Sequence, residues 1–378
     1  MIEIHNHSGL LHACCIKHNP NGYPFHSLVI RGTFDFAASG QRMPLSAEQT
    51  PIDYADTFAG PVESDPRRAI LQREGDLVFL KRRTDIHLLG HLYSLEQQPR
   101  QSWIAGLRLG PIDKRLRVTG PRKLKKGLLL WKLSEAQPVT QVPLDYRLAF
   151  GGCFDDPEPP QDSAPEQIIY PRNPSGCGWL PENRALKHLD KKVRQRIQAQ
   201  IDSLRELPAP QFEELERPID QPWTAYMPQG FGPIARWWQP RLGLQGSYGP
   251  DWLRERYPRL PEDFDPLYYQ SAHPDLIAPR ILLGHEELAL SGCLPEGRVE
   301  MRLPGVQPIL VAEGQQFGKT IKTPGLDTIR LDLDQRRCTL LWRIVFNAEN
   351  APEQIGIALS RPNDSQWQDI EQIVGSRV

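Results

Sequence analysis

Proline restricts this chain more than any other residue. It fixes φ at about −65° and carries no N–H, so it ends helices and is kept out of the middle of a sheet. The 378 residues contain 37 Pro and 29 Gly, together about 17% of the chain, against roughly 12% in average usage. They are spread along the sequence rather than gathered in one tract. That distribution predicts many short elements joined by ordered loops, and not a flexible linker. The fold class expected is mainly β, with antiparallel β-sandwich or barrel-like parts, long ordered loops and one long amphipathic helix.

Short β-type runs recur at 27–36, 77–92, 103–109, 115–119, 281–290, 299–303, 328–333 and 338–346, most bounded by Gly or Pro. Alternation of Arg330, Asp332 and Asp334 with Ile329, Leu331 and Leu333 reads as a strand with one wet face. Leu186, Leu189, Val193, Ile197, Ile201 and Leu204 recur instead at steps of three and four, which predicts a helix over about 182–207. Pro181 precedes it and Pro208 and Pro210 follow, so it would run roughly 38 Å. The domain organisation expected is a β-rich part at 1–150, a loop-rich Pro, Gly and aromatic segment at 151–280, and a β-rich part at 281–378, or all three as one compact body.

Lys plus Arg number 45 and Asp plus Glu 46, a net charge of −1. No global field therefore favours nucleic acid or anionic lipid, and any partner must be recognised locally. The N-terminus lacks a basic stretch followed by an apolar one, and no apolar run approaches membrane-spanning length. Six cysteines with no C-x-x-C pair suit a reducing compartment. The expectation is a bacterial cytoplasmic protein with neither nucleic acid nor a membrane as partner.

Gly314 to Thr320 ends in Gly-Lys-Thr but has three residues between its glycines, where a phosphate loop needs four and a following helix. Gly284-His285-Glu286-Glu287 begins like a zinc-protease helix, but position 289 is Ala. The N-terminal His5, His7, His12, Cys14, Cys15, His18 and His26 are dense in ligand types for zinc or copper. Their spacing matches no finger, and His5 with His7 also describes one wet strand face. No metal or cofactor is expected. The basic run of Lys114, Arg115, Arg117, Arg122, Lys123, Lys125 and Lys126 reads as a solvated face, or as a site for an acidic protein patch. Asp263 and Asp265 are a candidate carboxylate pair for a hydrolase acting on carbohydrate or peptidoglycan, with Trp237 and Trp238 as its sugar platform. Both acids stand in a Pro-rich stretch, where such residues commonly organise turns.

An ordered set of blocks spans nearly the whole chain. It starts with Arg31-Gly32-Thr33-Phe34 and Lys81 with Thr84-Asp85, then Val118 to Arg122, Asp145 to Gly152, Asn173 to Gly178 and Gly230 to Pro233. It continues with Gly246 to Trp252, Arg256 to Pro258, Leu260 to Asp265, Ser271-Ala272, Gly284 to Glu286, Leu303 to Gly305 and Leu341-Trp342-Arg343. The set resembles the type VI secretion adaptor or chaperone family that carries domain of unknown function 2169. Gly249 and the helical stretch depart from that family's pattern.

The resemblance implies a cytoplasmic, non-enzymatic protein. It would hold a toxic effector, often through its PAAR-like region, and help load it on the VgrG spike. It supplies no contact residues, so a surface must be argued physically. Trp237, Trp238, Tyr268 and Tyr269 offer large aromatic contact area in loops. An unpaired β-edge accepting an extended effector segment is the second mode.

Overall fold

The computed structural model describes residues 2–60, 62–63, 65–161 and 164–375. The protein is mainly β, built from open sheets and short helices. The central sheet has five strands in the order Leu11–His18, Pro24–Asp35, Arg337–Asn347, Gly325–Asp332 and Asp85–Leu89. Only the last pair is parallel. The N-terminal and C-terminal parts of the chain thus interleave in one sheet. A second five-stranded sheet runs Phe212–Glu213, Ile112–Thr119, Ser102–Leu109, Glu287–Leu294 and Gly297–Arg302. Leu28, Ile30, Phe34, Ile329 and Trp342 of the central sheet share one hydrophobic core with Leu107, Leu288, Leu290 and Met301 of the second. A four-stranded sheet pairs Glu3–Asn6 with Gln354–Ser360, Gln307–Gly314 and Gly318–Lys322.

The expected helix over 182–207 is shorter. A 3-10 turn covers Ala185–His188, and the α-helix spans Lys191–Ser203, about 20 Å. Asp190 separates them, because its carboxylate accepts from the Lys192 N–H and starts a new helix there. Past Leu204 the backbone is extended, and Glu206–Ala209 pairs with Arg122–Lys126. The apolar periodicity nonetheless describes burial: Leu186, Leu189, Val193, Ile197 and Ile201 all join a second core with Leu124, Trp131, Phe150 and Trp179. The first half of the loop-rich segment, up to Tyr226, packs around this helix, while Phe231, Ile234, Trp238, Ala272 and Leu276 of its second half join the first core.

The runs at 77–92 and 281–290 also contain less strand than expected. The hydroxyl of Thr84 donates to the Leu326 carbonyl and accepts from the Leu282 N–H, tying both approaches into loops. The carboxylate of Glu286 accepts from the N–H groups of Leu283 and Gly284 and holds a turn. Gly314 to Thr320 forms a β-hairpin between Gln307–Gly314 and Gly318–Lys322, so no phosphate cradle precedes a helix there.

The face carrying Arg330 is not wet. Opposite the hydrophobic face, the central sheet presents Ser27, Arg31, Thr33, Asp85, His87, Thr328, Arg330 and Arg343, all buried. Residues of the 50–81 segment cover this face and bond to it. Alternation identified the strand, but a polar layer under loops has the same period as a solvated one.

Candidate functional site: an aromatic cleft on a buried charge network

Five cations and five carboxylates meet on that covered face. Arg31 donates to Asp53 and Asp76 at 2.7 and 2.6 Å, and Arg330 reaches the same two acids at 3.0 and 2.7 Å. Glu74 accepts from Lys81 at 2.6 Å and from Arg241 at 2.7 Å, and Lys81 also reaches Asp85 at 2.6 Å. Arg343 pairs with Asp327 at 2.6 Å. Burial alone pushes the Glu74 carboxyl up, but Lys81 and Arg241 outweigh it and hold the group well below the usual range. Burial also opposes the charge on Asp76, and Arg330 and Arg31 likewise win. His87, buried beside Lys81 and Arg330, is pushed down to about 3 and stays neutral.

Blocks distant in sequence converge here. Arg31, Lys81, Asp85, Ser271 and Arg343 belong to four of them, and the Ser271 hydroxyl bonds Glu74 at 2.7 Å while its N–H bonds Asp85 at 2.8 Å. The Asp145 and Asn173 blocks form a neighbouring knot. Asn173 donates to the carbonyls of Tyr146 and Phe150 at 2.7 and 3.2 Å, and Tyr146 donates to the Gly232 carbonyl. A Cβ at Gly151 would lie 2.0 Å from the Asn173 carbonyl oxygen, so only glycine fits that crossing.

Over one end of the network opens a cleft of about 580 Å³ whose lining includes Tyr54, Phe58, Phe79, Trp237, Tyr268 and Tyr269. Glu74 and Arg241 also line it, and Lys17, His18 and the Arg236–Asp56 pair supply further charge. Phe58 stacks on Trp237 at 5.1 Å between centroids, and Phe79, Tyr269, Phe264 and Tyr268 form a chain of tilted and edge contacts. The Arg241 guanidinium lies 5.5 Å from the Tyr268 ring centroid. The Trp237 indole N–H is buried with no acceptor among the described residues.

Three of the four aromatic residues read from the sequence thus gather at one cleft. The fourth, Trp238, lies in the core: it is fully buried, packs edge-on against Tyr146 and donates to the Arg67 carbonyl at 2.6 Å. Tyr54, Phe58, Phe79, Glu74 and Arg241 were not legible as site residues, because the segments carrying them show no motif of their own. Asp263 accepts from the N–H and hydroxyl of Ser247 at 2.9 and 2.7 Å. Asp265 accepts from the Leu267 N–H at 2.8 Å and caps the turn Pro266–Tyr269, which presents both tyrosines.

The other sequence candidates are dispersed. His5 and His7 are exposed at the Glu3–Asn6 edge strand, while His12, Cys14, Cys15 and His18 lie along Leu11–His18. Among the described residues no three His, Cys, Asp or Glu side chains are grouped to hold a metal ion. The basic run is mostly paired rather than a free face. Lys114 is buried on Gln229, His273 and Asp275, and Arg115, Arg122 and Lys123 pair with Asp113, Glu213 and Glu206. A larger cavity of about 860 Å³ lies between the Phe317 and Phe346 rings and the C-terminal helix residue Val374. Of its charged lining residues Lys81, Asp327 and Arg343 are already paired, while Arg82 and Lys322 have no ion pair among the described residues. No helix among the described residues is long and apolar enough to cross a membrane.

Fold and cleft define a mainly β scaffold that encloses an ionic layer and opens an aromatic cleft at one end of it. The profile of a family described as "Uncharacterized protein conserved in bacteria (DUF2169)" matches residues 21–343, and the chain belongs to that family. No curated protein and no solved structure matches the chain.

Proposed function

We propose that this protein is a non-enzymatic adaptor that binds a type VI secretion effector through a PAAR-like region and promotes its loading onto the VgrG spike. The blocks that resemble the adaptor family supply the identity of the partners. The aromatic cleft supplies a place to bind them and is the observation that carries the reading. Trp and Tyr side chains held by their own packing lose little entropy on contact, which is why they dominate binding hot spots. The unpartnered Trp237 N–H suits a carbonyl from the bound segment. The carboxylates that a hydrolase needs are engaged elsewhere, since Asp263 and Asp265 hold turns and Trp238 is buried.

The test is co-purification of the tagged full chain from its own host with the secretion system intact, followed by mass spectrometry. A PAAR-containing effector or VgrG is expected in stoichiometric amount, and Trp237→Ala with Tyr269→Ala should weaken that complex roughly 30-fold or more, the scale of a hot spot. Recovery of the protein alone, or of the same partner from the double variant undiminished, refutes the reading.

A further inference from the structure

Strands Arg122–Lys126 and Trp131–Leu133 are joined by Gly127, Leu128, Leu129 and Leu130. The Gly127 N–H donates to the Leu130 carbonyl at 3.0 Å, and a Cβ at 127 would lie 2.6 Å from that oxygen. The base of this hairpin is fixed, because Leu124 and Trp131 are buried in the second core and the Gln221 amide bonds the Trp131 carbonyl. Its tip is bare: Leu128 is fully exposed, and Leu129 and Leu130 are 92% and 57% exposed. Consecutive exposed leucines on a rigidly held turn are a cost that a surface loop ordinarily avoids.

A cationic collar stands behind the tip. Lys125 and Lys132 are directly opposite in the antiparallel ladder, and neither is ion-paired among the described residues. Like charges directly opposite are destabilising; Glu206 faces Lys125 from the other side of its strand and offsets part of this, but it is shared with Lys123. Lys126 and Arg205 adjoin them, the Lys126 N–H donating to the Arg205 carbonyl. Lys123 is already paired with Glu206.

We infer that this hairpin is an anchor to an anionic bilayer surface, Leu128 to Leu130 entering the acyl boundary while Lys125, Lys126 and Lys132 meet lipid phosphates. A protein socket fits the observations less well. Three leucines offer only a few hundred Å² of contact, against the roughly 800 Å² per partner of a stable interface, and the surroundings are like-charged lysine rather than flat apolar surface. A bilayer needs no matched socket and accepts side chains radiating from a tip. With a net charge of −1 on the whole chain, the attraction is local to this collar. The inference goes beyond the adaptor reading, does not depend on it, and revises the sequence expectation that no membrane is a partner.

The test sediments the full chain with phosphatidylcholine vesicles and with vesicles containing about one-third phosphatidylglycerol. Binding to the second is expected to be at least tenfold tighter, to weaken with added salt, and to fall tenfold or more in Leu128→Ser with Leu129→Ser. Lys125→Gln with Lys132→Gln should remove the preference for phosphatidylglycerol. Both pairs are exposed, and an unchanged thermal melt assigns any loss to the lipid contact. Equal sedimentation of the leucine variant and the parent, or no sedimentation with phosphatidylglycerol vesicles, overturns the inference. In the latter case, loss of a co-purifying acidic protein from the leucine variant would assign the tip to a protein socket.

Discussion

Replacing Glu74 with Gln removes one negative charge from a layer where five cations face five carboxylates, and changes almost no volume. The Glu74 and Lys81 side chains are each 1% exposed, so water cannot replace what is lost. Lys81 keeps Asp85 at 2.6 Å, but Arg241 loses its one carboxylate partner and is left with the carbonyls of Ile234 and Tyr268. Removing one member of a buried pair and stranding the other typically costs about 3–5 kcal/mol. A chain of this size has a urea m-value of roughly 3 kcal/mol/M or more, so the midpoint should fall by about 1 M with m unchanged. Tryptophan fluorescence in urea gives both quantities. Lys81→Met should lose a comparable amount, and the double variant less than the sum, because the two side chains share one contact. Glu206→Gln, at an exposed pair with Lys123, should leave the midpoint where it was. If Glu74→Gln shifts stability by less than about 1 kcal/mol, or if the two losses simply add, the layer is not a coupled ionic network.

Acid should destabilise the fold well before ordinary carboxylates titrate. His87 and His273 are both pushed down to about 3, by burial first and by Lys81 with Arg330 or by Lys114 second. An unfolded histidine takes its proton near pH 6.5 and the folded ones do not, so stability is complete above about 6.5 and is lost as pH falls toward 3. The depressed Glu74 and Asp76 add loss in the same direction below about pH 4. Melting temperature should fall steadily between about pH 7 and 5, less steeply in His87→Gln; a flat profile there sinks the argument. Adjacent tryptophans should separate cleanly: Trp238→Ala should cost about 3–5 kcal/mol in unfolding experiments, while Trp237→Ala should cost clearly less and chiefly impair partner capture.

Most central strands were legible because their apolar residues alternate between Gly and Pro stops. Pro24–Asp35, Ser102–Leu109 and Arg337–Asn347 fall close to their expected places. What alternation does not encode is the material covering the second face. Arg330 and Ile329 alternate in the same way whether water or the 50–81 segment lies above the arginine, and the covering carboxylates Asp53, Glu74 and Asp76 are remote in sequence. The helix is shorter than its periodicity for a related reason. Burial periodicity passes from a 3-10 turn into an α-helix without a break at Asp190, since both run against the same second core. Trp237 and Trp238 differ only by which side of one loop each side chain takes, and no local signal distinguishes them.

The blocks that carry the family resemblance explain why family membership fixes the scaffold better than the partner. Arg31, Lys81, Asp85, Ser271 and Arg343 close the ionic layer, Asp145, Asn173 and Gly151 tie the knot around Tyr146, and Asp263 and Asp265 hold turns. Each meets a need internal to the fold. Tyr54, Phe58 and Trp237 at the cleft, and Leu128 to Leu130 at the hairpin tip, lie outside those blocks. A chain can change them without disturbing the ionic layer, because their contacts are at its rim. Among the described residues only Glu74 and Arg241 belong to both systems, forming part of the cleft lining and part of the network. The cleft therefore rests directly on the buried ionic layer, so on the proposed reading a bound segment would meet side chains whose positions that layer fixes.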